Sequence, residues 1–416
     1  MRRINILKKI LIYSFYLSLL FFIIYLVYFI NTQDPYKKSI RKDIKSIIKK
    51  NTLNKHLFND YREQFLPDTQ FIKINFKKID LDFLNLGGCY FGSCYSFFLE
   101  QYEKKLIIAD REGNIKVTPF DSLDNGNPTF SDIQTNLDFD NLLDIYIHQN
   151  DIYVTGKKNI DKKVFLEVLK GNLEGNKINF ESIIKLKSKN CIRQYPHVAG
   201  KVQIFNEDKN KILLSLNQGG WADNPSLENL SSDSICGKIL LVDTKNKNYE
   251  IFSSGHRNNA GLYADENVIL STEHGPYSGD EINKIEKDKK YGWPIVSYGE
   301  KYSRNKNETE PNYKKNHKKN GFEEPIFSFV PAVGISEIIK LPNNFSKLWQ
   351  DNFLLASLNG KYLYRVKFDD DYNKIIYYEP IYIGDRIRDL IYNKDSKKIL
   401  LALELEGALG IITNQN

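Results

Sequence analysis

The residues with the types and spacing to do chemistry gather between Gly255 and Pro294, where His256, Arg257, His274, Asp280 and Glu281 fall within one strand-plus-loop unit. The run Val268–Thr272 (V-I-L-S-T) is β-branched and apolar, which predicts a buried strand. It empties into His274-Gly275-Pro276-Tyr277-Ser278-Gly279-Asp280-Glu281. Glycine there permits unusual backbone angles and proline withholds a donor, so carbonyl oxygens can turn toward one point. Adjacent carboxylates with such carbonyls are what a hard cation such as calcium takes as ligands. Arg257, just before the strand, adds a fixed positive fork suited to a carboxylate or a developing oxyanion. A loop of Gly, Pro and Asp is ordinarily only a loop, and an Asp-Glu pair ordinarily faces water. The clustering of five such residues in one unit favours a site.

Two further stretches carry candidates. In Tyr195-Pro196-His197-Val198-Ala199-Gly200-Lys201, His197 precedes a small-residue turn that opens a strand, which places its imidazole at a strand mouth. A lone histidine is more often a structural hydrogen-bonder, although imidazole titrates where a general base must. In Gly384-Asp385-Arg386-Ile387-Arg388-Asp389-Leu390, arginines two apart on a strand share a face and could clamp a polyanion. The plain alternative is a solvated strand edge paired with Asp385 and Asp389.

Together these stretches resemble the glucose/sorbosone dehydrogenase family, the soluble quinoprotein aldose dehydrogenases that use pyrroloquinoline quinone (PQQ). The resemblance lies in G-H-R-N at Gly255–Asn258, T-E-H-G-P-x-x-G-D-E-I-N at Thr272–Asn283 and Y-G-W-P at Tyr291–Pro294. The His197 segment resembles the family's H-x-G-G-R-L-x-F, and Arg386–Asp389 its R-I-R-D. The resemblance implies an all-β, six-bladed β-propeller with PQQ and calcium over the central axis. It implies that His197 takes the proton of an aldose's anomeric hydroxyl and that Arg257 stabilises the developing charge. Arg257, Asn258, Arg386 and Arg388 would contact PQQ. The carbonyls of Gly275 and Pro276 would hold one calcium, Glu281 and the Tyr291 carbonyl would serve a second, structural one, and Asp280 would be a metal ligand with them. The sugar would leave as a lactone and the electrons would pass to an unidentified acceptor.

The sequence also departs from that pattern. Ala199 and Lys201 stand where the family usually shows Gly and Arg, and Ala260, Ala332 and Asn359 replace a glutamine, a hydroxyl residue and a lysine. Gly87–Gly92 is the nearest stretch to the family's Q-G-G-L-L-G, and similarity extends over about Pro196–Leu390. These losses keep two rival readings in view: a non-catalytic calcium-binding propeller that binds carbohydrate or protein, and a lactonase-like hydrolase.

The elements that must position these residues read as short strands joined by turns. Leu106–Ala109 with Ile115–Val117, Ile145–Ile147 with Ile152–Val154, Val202–Phe205 with Ile212–Leu216, and Leu363–Phe368 with Ile375–Tyr378 are predicted hairpins. A succession of hairpins without an exact repeat argues for radial repetition, with a large sandwich as the rival. A chain of 416 residues, 41% hydrophobic and 13% aromatic, can supply the core of such a unit. The net charge of +7 is spread along the chain with no compact basic-aromatic module, so nucleic acid is not an expected partner. Of the four cysteines, Cys89 with Cys94 and Cys191 with Cys236 could bridge in an oxidising compartment, and free thiols are the alternative. Ile10–Ile30 is apolar and uncharged, with Arg2, Arg3, Lys8 and Lys9 before it, and matches the roughly 20 residues that cross a bilayer. The expected organisation is therefore a cytoplasmic tail (1–9), a transmembrane anchor (10–30), a lysine-rich stalk (31–70) and a propeller (71–416). The resemblance sets the propeller outside the cytoplasmic membrane.

Overall fold

The computed structural model describes residues 69, 72–89, 92–125, 128–188, 191–192, 199–206, 208–221, 224–303 and 312–415. The expected tail, anchor and nearly all of the stalk lie outside these residues, and so does His197. Among the described residues no helix is long and apolar enough to cross a membrane.

The compact unit formed by residues 66–87 and 94–416 is all-β and six-bladed. The strands nearest the axis are Phe97–Tyr102, Asn141–His148, Val202–Phe205, Asn259–Ala264, Ile335–Lys340 and Ile387–Asn393, which we assign to blades 1 to 6. Each touches the next, and the sixth touches the first, so they close a ring. Separate antiparallel sheets around a ring replace the two facing sheets a sandwich would need. The predicted hairpins lie within the blades; Lys105–Asp110 with Ile115–Pro119, for example, belongs to blade 1.

The packing explains why so many strands are apolar at consecutive positions. Neighbouring residues on a strand point to opposite faces, and each blade is covered by another on both sides. Ile107 packs between blades 1 and 2, whereas Ile108 packs between blades 6 and 1. Leu400 and Leu401 divide in the same way between the clusters shared with blades 1 and 5. Six clusters of this kind, one per blade interface, make up the core. Blade 6 takes its outer strand from the other end of the chain: Ile74–Asp80 pairs antiparallel with Ala408–Asn414, from Ile74 opposite Asn414 to Asp80 opposite Ala408. A disulfide joins Cys191 to Cys236 with Cα atoms 5.4 Å apart, making one of the two expected bridges. The other involves Cys89, whose side chain lies outside the described residues.

The axis itself is charged. Lys201 forms ion pairs with Asp144 of blade 2 and Glu337 of blade 5, and Asp389 of blade 6 adds its charge. Burial would depress the Lys201 ammonium, but these carboxylates hold it well above the usual lysine range. Asp389 is pushed up to about 7, first by burial and then by Glu337 and Asp144, against the pull of Lys201. A cavity of about 590 Å³ runs along this axis, lined by residues of all six inner strands.

Candidate active site at the axial mouth

Arg257, Asn258, Arg386 and Arg388 sit at the beginnings of inner strands, and the Gly275–Glu281 loop joins the second and third strands of blade 4. Arg257 precedes the inner strand of blade 4 and is 8% exposed. Its backbone N–H donates to Glu273, its Nη1 donates to the His274 carbonyl at 2.8 Å, and its guanidinium lies 5.4 Å from the Trp293 ring centre. Trp293 is fixed in turn by donating its indole N–H to Gln218 at 2.6 Å. Glu273 lies at the end of the strand Ile269–Glu273 that the V-I-L-S-T run predicts. Its carboxylate also meets His256 Nδ1 at 3.1 Å and accepts from Asn259 at 3.3 Å. His256 is fully buried, shares a hydrogen bond with Ser253 at 2.8 Å and stacks on Tyr291 at 4.6 Å. The buried strand pair thus anchors Arg257 through its backbone, beside the Trp293 ring.

His274 follows, with Nδ1 3.2 Å from the Asn258 amide. Burial and the charges of Arg257 and Arg388 hold this imidazole below its usual range, against the pull of Asp280. Arg388 belongs to blade 6, so a charge from a second blade bears on this blade 4 imidazole. Two buried polar atoms here, Arg257 Nε and Asn258 Oδ1, have no protein hydrogen-bond partner, whereas the His274 imidazole also engages the Ile335 backbone.

Arg386 and Arg388 do not pair with Asp385 and Asp389, as a solvated edge would require. Both donate their Nε–H to Glu404, at 3.2 and 2.6 Å, and Glu404 is entirely buried and also accepts from Ser96 at 2.7 Å. Burial would raise the Glu404 carboxyl, yet the charges of Arg388 and Arg386 bring it below the ordinary glutamate range. Asp385 instead accepts from the backbone of Leu405, and Asp389 from that of Leu99. Two guanidinium groups thus share one buried carboxylate.

The glycine-rich loop folds back on itself. A Cβ on Gly275 would meet the Ser278 carbonyl oxygen at 2.0 Å and that of Gly279 at 2.3 Å. Asp280, expected as a metal ligand, is taken up by backbone donors. Its Oδ1 accepts from Gly275 N–H at 3.0 Å, and its Oδ2 from Val333, Gly334 and Ile335 at 2.9, 2.6 and 3.2 Å. Four backbone donors consume this 1% exposed carboxylate, so Asp280 ties the loop to the start of blade 5. Glu281 points into a hollow of about 10 Å³, room for one water-sized sphere, lined also by Glu273, Arg257, Tyr291 and His317. His317 Nε2 lies 3.4 Å from Glu281 Oε1. Burial opposes a charge on His317, but the hydrogen bond and charge of Glu281 raise it overall. The Tyr291 phenol donates to the Lys284 carbonyl at 2.5 Å, so of the candidate ligands it contributes only backbone.

The structure therefore brings Arg257, Asn258, Arg388 and the Gly275–Glu281 loop together, with Arg386 beside Arg388. Sequence reasoning missed Glu273, Glu404 and His317. Glu273 stands inside the T-E-H-G motif, whereas Glu404 and His317 carry no local signal. Among the described residues no group of three or more His, Cys, Asp or Glu side chains is arranged to hold a metal, so any cation here would rest on backbone carbonyls as well.

Residues 97–410 match the family model described as Glucose / Sorbosone dehydrogenase. The aldose sugar dehydrogenase YliI of Escherichia coli is 30% identical over 175 residues, 40% of this chain and 44% of that protein. An uncharacterized protein of Synechocystis sp. is 31% identical over 223 residues, 48% of this chain and 52% of that protein. The matched segments span about half the length of these relatives. In structure, the apo-form of the soluble aldose sugar dehydrogenase from Escherichia coli superposes with a TM-score of 0.66 at 19% identity, covering 82% of this chain and 99% of that one. The PQQ-bound aldose sugar dehydrogenase from Streptomyces coelicolor gives 0.57 at 16% identity, covering 84% and 100%.

Proposed function

The chain belongs to the glucose/sorbosone dehydrogenase family, and from that premise we propose that it oxidises the C1 hydroxyl of an aldose to the lactone with PQQ and calcium. The observation that carries this reading is the gathering of Arg257, Asn258 and His274 at one end of blade 4, where the charge of Arg388 from blade 6 also bears on His274 and where Arg257 Nε and Asn258 Oδ1 are buried without protein partners. Such atoms are costly unless a ligand satisfies them. The residues present suit a flat, polycarboxylated quinone: the guanidinium groups of Arg257, Arg386 and Arg388 supply the countercharge and planar forks, and Asn258 supplies an amide. They suit calcium too, since the folded-back Gly275–Gly279 loop offers hard carbonyl oxygens and the hollow at Glu281 is the size of one small ion. Ala260, Ala332 and Asn359 offer fewer polar contacts, which shifts the hold on a quinone onto the arginines.

When bound, the quinone would supply the hydride acceptor and the calcium a Lewis acid beside its carbonyl. This chain's residues would do the rest. His197 would take the proton from the sugar's C1 hydroxyl as the hydride leaves C1. Arg257, held rigid by Glu273 and Trp293, would stabilise the negative charge that develops. Glu404 would keep Arg386 and Arg388 oriented. The membrane anchor at 10–30, a propeller outside the cytoplasmic membrane and transfer of electrons to a separate carrier belong to the same proposal; the Cys191–Cys236 disulfide supports an oxidising compartment.

Adding PQQ and calcium to the purified protein and following dye reduction with a panel of aldoses tests it. The expected result is calcium-dependent quinone uptake with turnover of at least one sugar, and no quinone uptake would overturn it. Ala260, Ala332 and Asn359 specifically favour a second reading, a binding propeller without redox chemistry. Carbohydrate binding with no quinone uptake would establish that one.

A further inference from the structure

The axial cavity has walls of its own, apart from the candidate active site. They come chiefly from residues 99–101, 144–146, 201–203, 262–263, 337–343 and 389–392, and Arg257, Asn258, Arg386 and Arg388 are not among them. At about 590 Å³ the cavity has the size of a small-molecule site. Three of its carboxylates are placed by one device. Asp144, Glu337 and Asp389 each stand at a β-bulge between the first and second strands of their blades, where an extra residue re-aims a side chain. Glu100 of blade 1 adds a fourth carboxylate. Lys201 answers two of them, since its ammonium pairs with Asp144 and Glu337. Of the other charged residues on the walls, Lys340 pairs with Asp265, and Asp351 and Lys394 carry opposite charges. Glu100 and Asp389 pair with no cation among the described residues. Asp389 accepts only backbone N–H groups, from Leu99 at 2.8 Å and Leu390 at 2.9 Å. Glu100 accepts from the Gln101 N–H at 3.2 Å through Oε2, and its Oε1 has no partner among the described residues. Burial, and then the charges of Asp389 and Asp144, hold the Glu100 carboxyl well above the ordinary glutamate range.

We propose that this cavity binds a small organic cation, a primary ammonium on an apolar body, with the ammonium at Glu100 and Asp389 and the body along the inner strands. The two carboxylates are neighbours across the junction of blades 6 and 1, because Asp389 is bonded to the residue that precedes Glu100. An ammonium is what the other two carboxylates already take from within the chain, at Lys201. Its three donors can be met by carboxylate oxygens in several geometries. A bare metal ion needs more ligands at fixed distances, and among the described residues no three such side chains are set for one. The body would lie against Leu99, Ile145, Val202, Leu262, Ile338 and Leu390, one from each blade. A neutral sugar or an anion would leave the two acids without countercharge.

Calorimetric titration of the full-length protein with n-hexylammonium chloride, without quinone, tests this. Saturable binding is expected, with none for 1-hexanol or sodium hexanoate at the same concentrations. Glu100→Gln keeps the shape of the side chain and removes a charge that no described cation balances, so the fold should tolerate it. That variant should bind the cation about 10-fold more weakly, the loss of one charge-assisted hydrogen bond. In the parent, affinity should rise between about pH 6 and pH 8, where Asp389, at about 7 beside Glu100, Asp144, Lys201 and Glu337, gives up its proton. Asp389→Asn should flatten that rise. No saturable binding, equal binding of hexanol, or unchanged affinity in Glu100→Gln would overturn the site. Displacement of the probe by an equal concentration of calcium chloride would also overturn it, in favour of a metal. None of these measurements involves sugar oxidation, so the outcome is independent of the dehydrogenase reading.

Discussion

Glu404 has no solvent exposure and faces two arginines, so its charge and theirs stand or fall together. Glu404→Gln would leave two partly buried guanidinium groups with no carboxylate between them and should cost about 3 kcal/mol, read from urea unfolding at neutral pH. Its pKa is depressed in the folded protein, so its contribution is present above the ordinary glutamate value of about 4.3 and is lost as pH falls through the folded value. The variant should therefore also show a flatter acid limb in a plot of stability against pH. Arg388→Lys keeps the charge and loses the planar fork; quinone retention measured by absorbance after gel filtration should fall at least ~10-fold. The arginines could be read from the sequence because two sit at strand spacing in a short motif. Glu404 could not: it enters through the register that sets Ile387 opposite Leu403 in the next strand, and no local pattern announces that pairing.

The loop after the strand Ile269–Glu273 shows how an element can be legible while a residue's task within it is not. Glycine and proline spacing marked the loop, and the apolar run before it marked the strand. Asp280 looked like half of a ligand pair because the backbone amides that claim it come from Gly275 and, across a blade interface, from Val333–Ile335. Asp280→Ala would leave four backbone donors, buried or partly buried, short of an acceptor and should destabilise the protein by about 3 kcal/mol, with calcium affinity measured by titration falling in parallel. Asp280→Asn, which keeps one acceptor oxygen, should recover part of the stability. The hairpins were legible for a simpler reason: turn residues punctuate apolar runs wherever a blade reverses. Blade number could not be counted from the hairpins, because turns differ in length and long excursions interrupt the period; the family resemblance supplied the six that the structure has.

At the scale of the molecule, the axis gathers more negative than positive charge around Lys201. Asp389, at about 7 in the fold against about 3.9 in an open chain, favours the folded state most at low pH. That contribution is fully present below the unfolded value and disappears as pH rises through about 7. The parent's Tm should therefore fall between about pH 5 and pH 8, and Asp389→Asn should shrink that fall, measured by calorimetry. The cluster was invisible in the sequence because Asp144, Lys201, Glu337 and Asp389 each stand alone in their own strand neighbourhoods and meet only when the ring forms.

That ring is fastened by a strand whose partner lies more than three hundred positions away, since Ile74–Asp80 has nothing to pair with until Ala408–Asn414 exists. A ribosome can lay down five blades in succession, yet the sixth waits for the last segment to emerge. Until then, Ile74, Phe76 and Ile79 are an apolar edge in search of a neighbour. Shortening the chain before residue 408 would not trim a margin; it would unlock the circle.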